Sequence, residues 1–233
     1  MNNIIRLIAA ALLVVTSQHS FATTKPNKPI VIEWYGDSTT TGVTYENGTY
    51  GKAKAAEPKL VQEMLNSKLG KNIVVIKNKG AGGTTADQLI KGTGNYGGIP
   101  FSKHLARGRA DIVIINFGIN DAYTPAYTPE MFDKDLSELV RIARVAGKTV
   151  LLETPNPIDN THNEWLWSFQ NQAIATGQKL GVPVINQWGE MMKRPEWQTY
   201  LGDKIHPTSP GYVVKSSISF PIIYPIVKSM SKK

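Results

Sequence analysis

Five short apolar, β-branched runs recur along the chain, at Ile30–Tyr35, Ile73–Ile76, Asp111–Phe117, Thr149–Leu152 and Val182–Ile185. Each ends beside a glycine, proline or asparagine, as strands buried on both faces of a parallel sheet do. Between the runs the period changes to helical. Pro58–Leu69 sets Leu60, Val61, Met64, Leu65 and Leu69 on one face and stops at Gly70, and Pro129–Ala146 spaces Phe132, Leu136, Leu139, Val140 and Ala143 the same way before Gly147. Glu164–Leu180 and Pro210–Met230 read as further helices, the last interrupted by Pro221 and Pro225. Strand and helix in alternation predict an open parallel α/β sheet covered on both faces. Such sheets bind ligands beyond the carboxyl ends of their strands, so the loops there are the place to look for chemistry.

Those loops carry four polar clusters. Gly36-Asp37-Ser38 follows the first run, Asn78–Thr85 (NKGAGGTT) the second and Phe117–Asp121 (FGIND) the third, while Gly202–Pro207 (GDKIHP) comes late in the chain. A serine hydroxyl becomes a nucleophile when a base takes its proton, and a histidine oriented by a carboxylate is the usual base. Ser38, His206 and Asp203 supply those types. The oxyanion formed on a carbonyl needs fixed donors, which the backbone N–H of Ser38, that of a glycine in the second loop, and the Asn120 amide can provide. Taken singly, each cluster also fits a plain turn or helix cap.

Together they resemble the SGNH or GDSL-type serine hydrolase family, whose GDS, N-x-G-x-x-G-x-T, GxND and DxxH blocks occur here in that family's order from Gly36 to His206. The resemblance implies a serine esterase or acylhydrolase with a flavodoxin-like three-layer α/β/α sandwich and a mainly parallel five-stranded sheet. It implies Ser38 as nucleophile, Asp203 and His206 as the other triad members, and an oxyanion hole of Ser38, Gly83 and Asn120. Gly80 and Gly82 lie close enough that a one-step shift moves the glycine's role. The first block reads GDST where the family often has GDSL. Asp37 and Asp121 are expected to fix their loops through backbone hydrogen bonds.

Composition narrows the class. Of 233 residues, 41% are hydrophobic and 19% charged, which fits a globular chain and argues against disorder or a multi-pass membrane protein. Arg6, the apolar run Leu7–Val15 and the small residues of Ser20-Phe21-Ala22 read as a cleaved signal peptide over 1–22, followed by a polar lead-in at 23–29 and one hydrolase domain at 30–233. The expected location is therefore periplasmic or secreted, without stable membrane insertion once the signal is removed. Cleavage leaves 25 basic against 18 acidic side chains, a net charge of +7, with no basic run of the kind that binds nucleic acid. His19, His104, His162 and His206 are scattered, so neither a metal nor another cofactor is expected. There is neither a G-x-x-x-x-G-K-[ST] motif nor a G-x-G-x-x-G after the first strand.

The substrate reading rests on aromatics in the strand-end loops, Tyr96, Tyr123, Tyr127, Trp165 and Trp167. Aromatic faces stack on sugar rings, whereas a lipase cleft calls for aliphatic lining. Gly92–Phe101 reads as flexible and polar, and Thr154–Pro157 (TPNP) as a wall of the cleft. The expected reaction is removal of short acyl groups, acetyl above all, from an envelope or extracellular carbohydrate. The alternatives are a lysophospholipase or thioesterase-like activity on longer chains, or a non-catalytic carbohydrate-binding domain.

Overall fold

A computed structural model describes residues 28–232. The expected signal peptide and most of the lead-in lie outside the described residues. The elements are β1 (Ile30–Gly36), α1 (Ser38–Thr41), β2 (Val43–Glu46), β3 (Thr49–Lys52), α2 (Glu57–Leu69), β4 (Val74–Asn78), α3 (Ala86–Lys91), α4 (Phe101–Arg107), β5 (Ile112–Asn116), α5 (Ile119–Tyr123), α6 (Pro129–Val145), β6 (Thr149–Glu153), α7 (Asn163–Leu180), β7 (Val184–Ile185), α8 (Gln187–Met192) and α9 (Ser209–Met230).

Five of the strands form one parallel sheet in the order β4-β1-β5-β6-β7. This is the three-layer α/β/α arrangement, with flavodoxin-like strand order. Alternate side chains feed opposite layers. Ile32, Trp34, Ile112, Ile114 and Leu151 pack with Val61 and Leu65 of α2 and Ile223 and Val227 of α9. Tyr35, Val113, Ile115, Val150 and Leu152 pack with Leu89, Phe101, Phe132, Leu139 and Phe169 of α3, α4, α6 and α7. All five residues of β5 are buried, which is why its sequence is continuously apolar until Asn116.

The order in which strands are added reverses between β1 and β5, so the loops after these two strands diverge and leave a crevice at the carboxyl edge. Ser38 and Asn120 stand on those two loops. α9 runs unbroken through Pro221 and Pro225, contrary to the interruption expected. Both prolines lie on its exposed face, where the carbonyls they leave unpaired reach solvent, while Ile223 and Val227 hold the other face to the sheet. No helix among the described residues is long and apolar enough to cross a membrane.

Candidate active site

β1 must turn sharply to deliver Ser38. A Cβ on Gly36 would lie 2.2 Å from Thr40 Oγ1 and 2.5 Å from the Asn116 carbonyl oxygen, so the position requires glycine. Asp37 then caps α1, its carboxylate accepting from the Thr39 N–H at 2.8 Å and the Thr39 hydroxyl at 2.9 Å. Burial pushes the Asp37 carboxyl up, and the Thr39 hydrogen bonds and the charges of Lys215 and His206 pull against it. The result is a half-exposed Ser38 hydroxyl between two buried neighbours, Asp37 and Thr39.

The late loop is closed by a bridge between Leu201 and Pro207 and by the Gly202 N–H donating to the His206 carbonyl at 2.9 Å. Inside it Lys204 takes a left-handed φ of 71°, which folds Asp203 back toward His206. Asp203 Oδ1 accepts the backbone N–H groups of His206 (2.7 Å) and Ile205 (3.1 Å), leaving Oδ2 for the imidazole Nδ1 at 2.7 Å. Burial alone would raise the Asp203 carboxyl, but the hydrogen bonds and charge of His206 and the Ile205 N–H outweigh it and hold it below its usual range. An ionised carboxylate only accepts, so Nδ1 carries the proton and Nε2, 2.9 Å from Ser38 Oγ, is free to accept from the hydroxyl.

The second loop is stitched to the first. The Asn78 amide donates to Thr40 O at 2.7 Å and the Ala81 N–H to Gly36 O at 2.8 Å. The Gly80 N–H is taken by Asn78 Oδ1 at 3.0 Å, whereas the N–H groups of Ser38, Gly82 and Gly83 have no acceptor among the described residues. Gly82 faces Ser38, since a Cβ there would lie 3.8 Å from Ser38 Cβ, and Gly83 has a left-handed φ of 71°. Asn120 Nδ2 donates to Thr84 O at 3.0 Å, which sets the third loop against the second and leaves one amide hydrogen unengaged. Asp121, beside it, accepts the N–H groups of Ala86 and Gly118, both at 2.9 Å. Desolvation pushes its carboxyl up to about 7 against those hydrogen bonds.

One contributor was not anticipated. The hairpin of β2 and β3 stands over the late loop, with Tyr50 donating its hydroxyl to Asp203 Oδ2 at 2.9 Å and its ring edge-on to His206 at 6.2 Å. Glu46 ties the hairpin to the start of α9 by accepting from the Ser209 N–H (2.6 Å) and hydroxyl (3.0 Å). The sequence holds the signal, Asn47-Gly48 between two alternating segments, and both residues adopt positive φ (53° and 77°).

Other expectations change. Thr154–Pro157 is buried; Asn156 donates to Ile205 O at 3.1 Å, so the segment braces the late loop from below. Gly92–Phe101 is fixed rather than flexible, with the Gly98 N–H donating to Gly92 O at 2.8 Å and Asn95 donating to Gly82 O at 2.7 Å. Tyr96 is buried and donates to Gly36 O at 3.0 Å. Tyr127 is half-buried, bonded to Asp135 and stacked on Phe169. Tyr123, Trp165 and Trp167 are exposed.

The sequence matches the GDSL-like lipase/acylhydrolase family over residues 34–214. Among curated proteins no sequence match is found. An acetylxylan esterase from Geobacillus stearothermophilus is similar in structure, with a TM-score of 0.69 at 17% identity over 84% of this chain and 94% of that one. A lipase/acylhydrolase from Enterococcus faecalis gives a TM-score of 0.69 at 22% identity, covering 84% and 96%. An α/β hydrolase enzyme from the metagenome of Lake Arreo gives 0.66 at 19%, covering 84% and 95%.

Proposed function

We propose that this chain, which belongs to the GDSL-like lipase/acylhydrolase family and is a carboxylic ester hydrolase, removes short acyl groups, acetyl above all, from carbohydrate through an acyl-Ser38 intermediate. The observation that carries the reading is the unbroken chain from Ser38 Oγ to His206 Nε2 at 2.9 Å and from His206 Nδ1 to Asp203 Oδ2 at 2.7 Å. His206 takes the Ser38 proton as Oγ attacks the ester carbonyl, then returns it to the departing alcohol oxygen. Asp203 stabilises the imidazolium and stays ionised. The negative oxygen of the tetrahedral intermediate is held by the Ser38 and Gly83 N–H groups and the unengaged Asn120 amide hydrogen. Water activated by His206 then releases the acid.

Gly83 is assigned over Gly80 because the Gly80 N–H is already committed to Asn78. Gly83 rather than Gly82 holds the second glycine place of the N-x-G-x-x-G-x-T block counted from Asn78, and its N–H has no acceptor among the described residues. Acetylated carbohydrate is favoured by the exposed aromatics beside the site and by the fold shared with the Geobacillus esterase. The reading also takes residues 30–233 as one hydrolase domain, exported after cleavage behind Ala22.

Initial rates on p-nitrophenyl acetate and p-nitrophenyl octanoate, with Ser38→Ala as the blank, test the reading. A Ser38-dependent rate that favours acetate supports it. A preference for octanoate moves the activity to long-chain acyl esters, and equal rates for enzyme and blank remove Ser38 as nucleophile.

A further inference from the structure

A pocket of ≈ 340 Å³ is lined by Asn163, Glu164 and Trp167 of α7 and Trp188 and Met192 of α8. Its volume is at the lower end of the range of small-ligand sites, about 300–1,000 Å³. α7 and α8 follow β6 and β7, so both begin on the carboxyl side of the sheet, where the Ser38 and Asn120 loops also emerge.

Hydrogen bonds join the pocket to both flanks of the site. Asn163 Oδ1 accepts the Ile158 N–H at 3.0 Å and Trp188 Nε1–H at 3.2 Å. The next residue, Asp159, donates its N–H to Lys204 O at 2.7 Å, inside the loop that carries Asp203 and His206. On the other flank Tyr123, three residues beyond Asn120, stacks on His162 with ring centres 4.3 Å apart and planes 15° apart. Its hydroxyl is 3.0 Å from the Asn160 amide nitrogen. An aromatic strip therefore runs from the oxyanion side of the site, over Tyr123 and His162, to the pocket.

Tyr123 is 40% and Trp167 52% exposed, so each keeps a ring face open to solvent. Glu164 is exposed at the pocket mouth and makes no ion pair or side-chain hydrogen bond among the described residues. Flat aromatic faces next to a free carboxylate suit a pyranose, whose C–H face packs on a ring while its hydroxyls donate to the acid. The same carboxylate repels a phosphate headgroup. We infer that this strip and pocket form a subsite for a neighbouring sugar unit of the acylated carbohydrate, so that the substrate is an oligomer or polymer rather than a monosaccharide. The inference rests on the carbohydrate reading above.

The test compares kcat/KM on chemically O-acetylated xylotetraose with that on O-acetylated methyl xyloside, for the wild type and for Trp167→Ala, with the unfolding temperature as the folding control. The wild type is expected to favour the tetrasaccharide, and truncating an exposed tryptophan in a binding surface to lower that ratio on the order of tenfold. An unchanged ratio overturns the subsite and leaves the carbohydrate reading standing. If Trp167→Ala instead impairs p-nitrophenyl octanoate, the pocket takes acyl chains and the inference is wrong. Wild-type turnover of p-nitrophenyl acetate with none of either saccharide removes the carbohydrate reading and the subsite together.

Discussion

Lys215, fully buried in α9, lies between two buried carboxylates, 3.2 Å from Glu57 Oε2 and 3.4 Å from Glu153 Oε1. Trp34 Nε1–H donates to Glu153 at 2.7 Å, while Gln187 Nε2 (2.7 Å) and the Ser219 hydroxyl donate to Glu57. The cluster locks α2, α9, β1 and β6 together beneath the site. Burial pushes the Glu153 carboxyl well above its ordinary value; Glu57 adds to the push and Lys215 opposes it. Lys215→Met keeps most of the volume but leaves two buried carboxyl groups with no cation, and breaking a buried ion pair in this way costs about 3–5 kcal/mol. Lys215 pulls the Glu153 carboxyl down against its burial, so losing it pushes that carboxyl further up; the native variant keeps the proton to higher pH than the unfolded chain does, and the deficit grows as pH rises. For a chain of this size the melting temperature should drop by roughly 6–20 °C at about pH 7.5 and by less at about pH 5.5. Calorimetry of both proteins at both pH values measures this, and adding Glu153→Gln should restore most of the pH-dependent part. A deficit equal at the two pH values, or a double variant worse than the single, would refute the reasoning.

Asn120→Ala should lower kcat on p-nitrophenyl acetate by about 10²–10³ if its free amide hydrogen meets the oxyanion; near-normal turnover takes Asn120 out of the site. Tyr50→Phe keeps the ring on the hairpin but removes the donor to Asp203, so the carboxylate bears more heavily on His206, which is otherwise faced by Ser38 and the charge of Asp37. kcat/KM on p-nitrophenyl acetate should change by up to roughly tenfold, the effect of one net hydrogen bond, and a rate equal to the wild type would show that the Tyr50 bond does not tune the base.

The sheet was legible because burial on both faces leaves a mark that needs no partner to interpret. Ile112–Asn116 is apolar at every position before its last, and Asn116 differs for a stated reason: its amide spans to Thr154 O at 2.9 Å and its oxygen accepts from Thr40 at 3.1 Å. Helices of 13 to 18 residues, α2, α6 and α7, also repeat long enough for a stripe to appear. α3, α5 and α8, of five or six residues each, do not complete two turns, so their existence depends on caps and on the loops they close. The prolines of α9 misled because a rule about missing N–H groups says nothing of which face they occupy.

Side chains in the candidate site divide along the same line. Ser38, Asn120, Asp203 and His206 stand out in a sequence because polar groups at strand ends and in a late loop have few other reasons to be there in that order. Aromatic rings have many. Tyr96 and Tyr123 were equivalent in the sequence, yet one fills the space under Gly36 while the other lies on His162 at the surface. Which of two tyrosines reaches the surface is decided by packing across layers, between segments dozens of residues apart, and no local period records it. Tyr50 is the sharpest case: the Asn-Gly turn predicts its hairpin, but the distant contacts of Gly202, where a Cβ would sit 1.9 Å from Tyr45 O, and of Ser209 with Glu46 bring that hairpin onto the loop of Asp203. The candidate reacting groups are therefore readable from residue type and order, and the exposed surface around them is readable only from the fold.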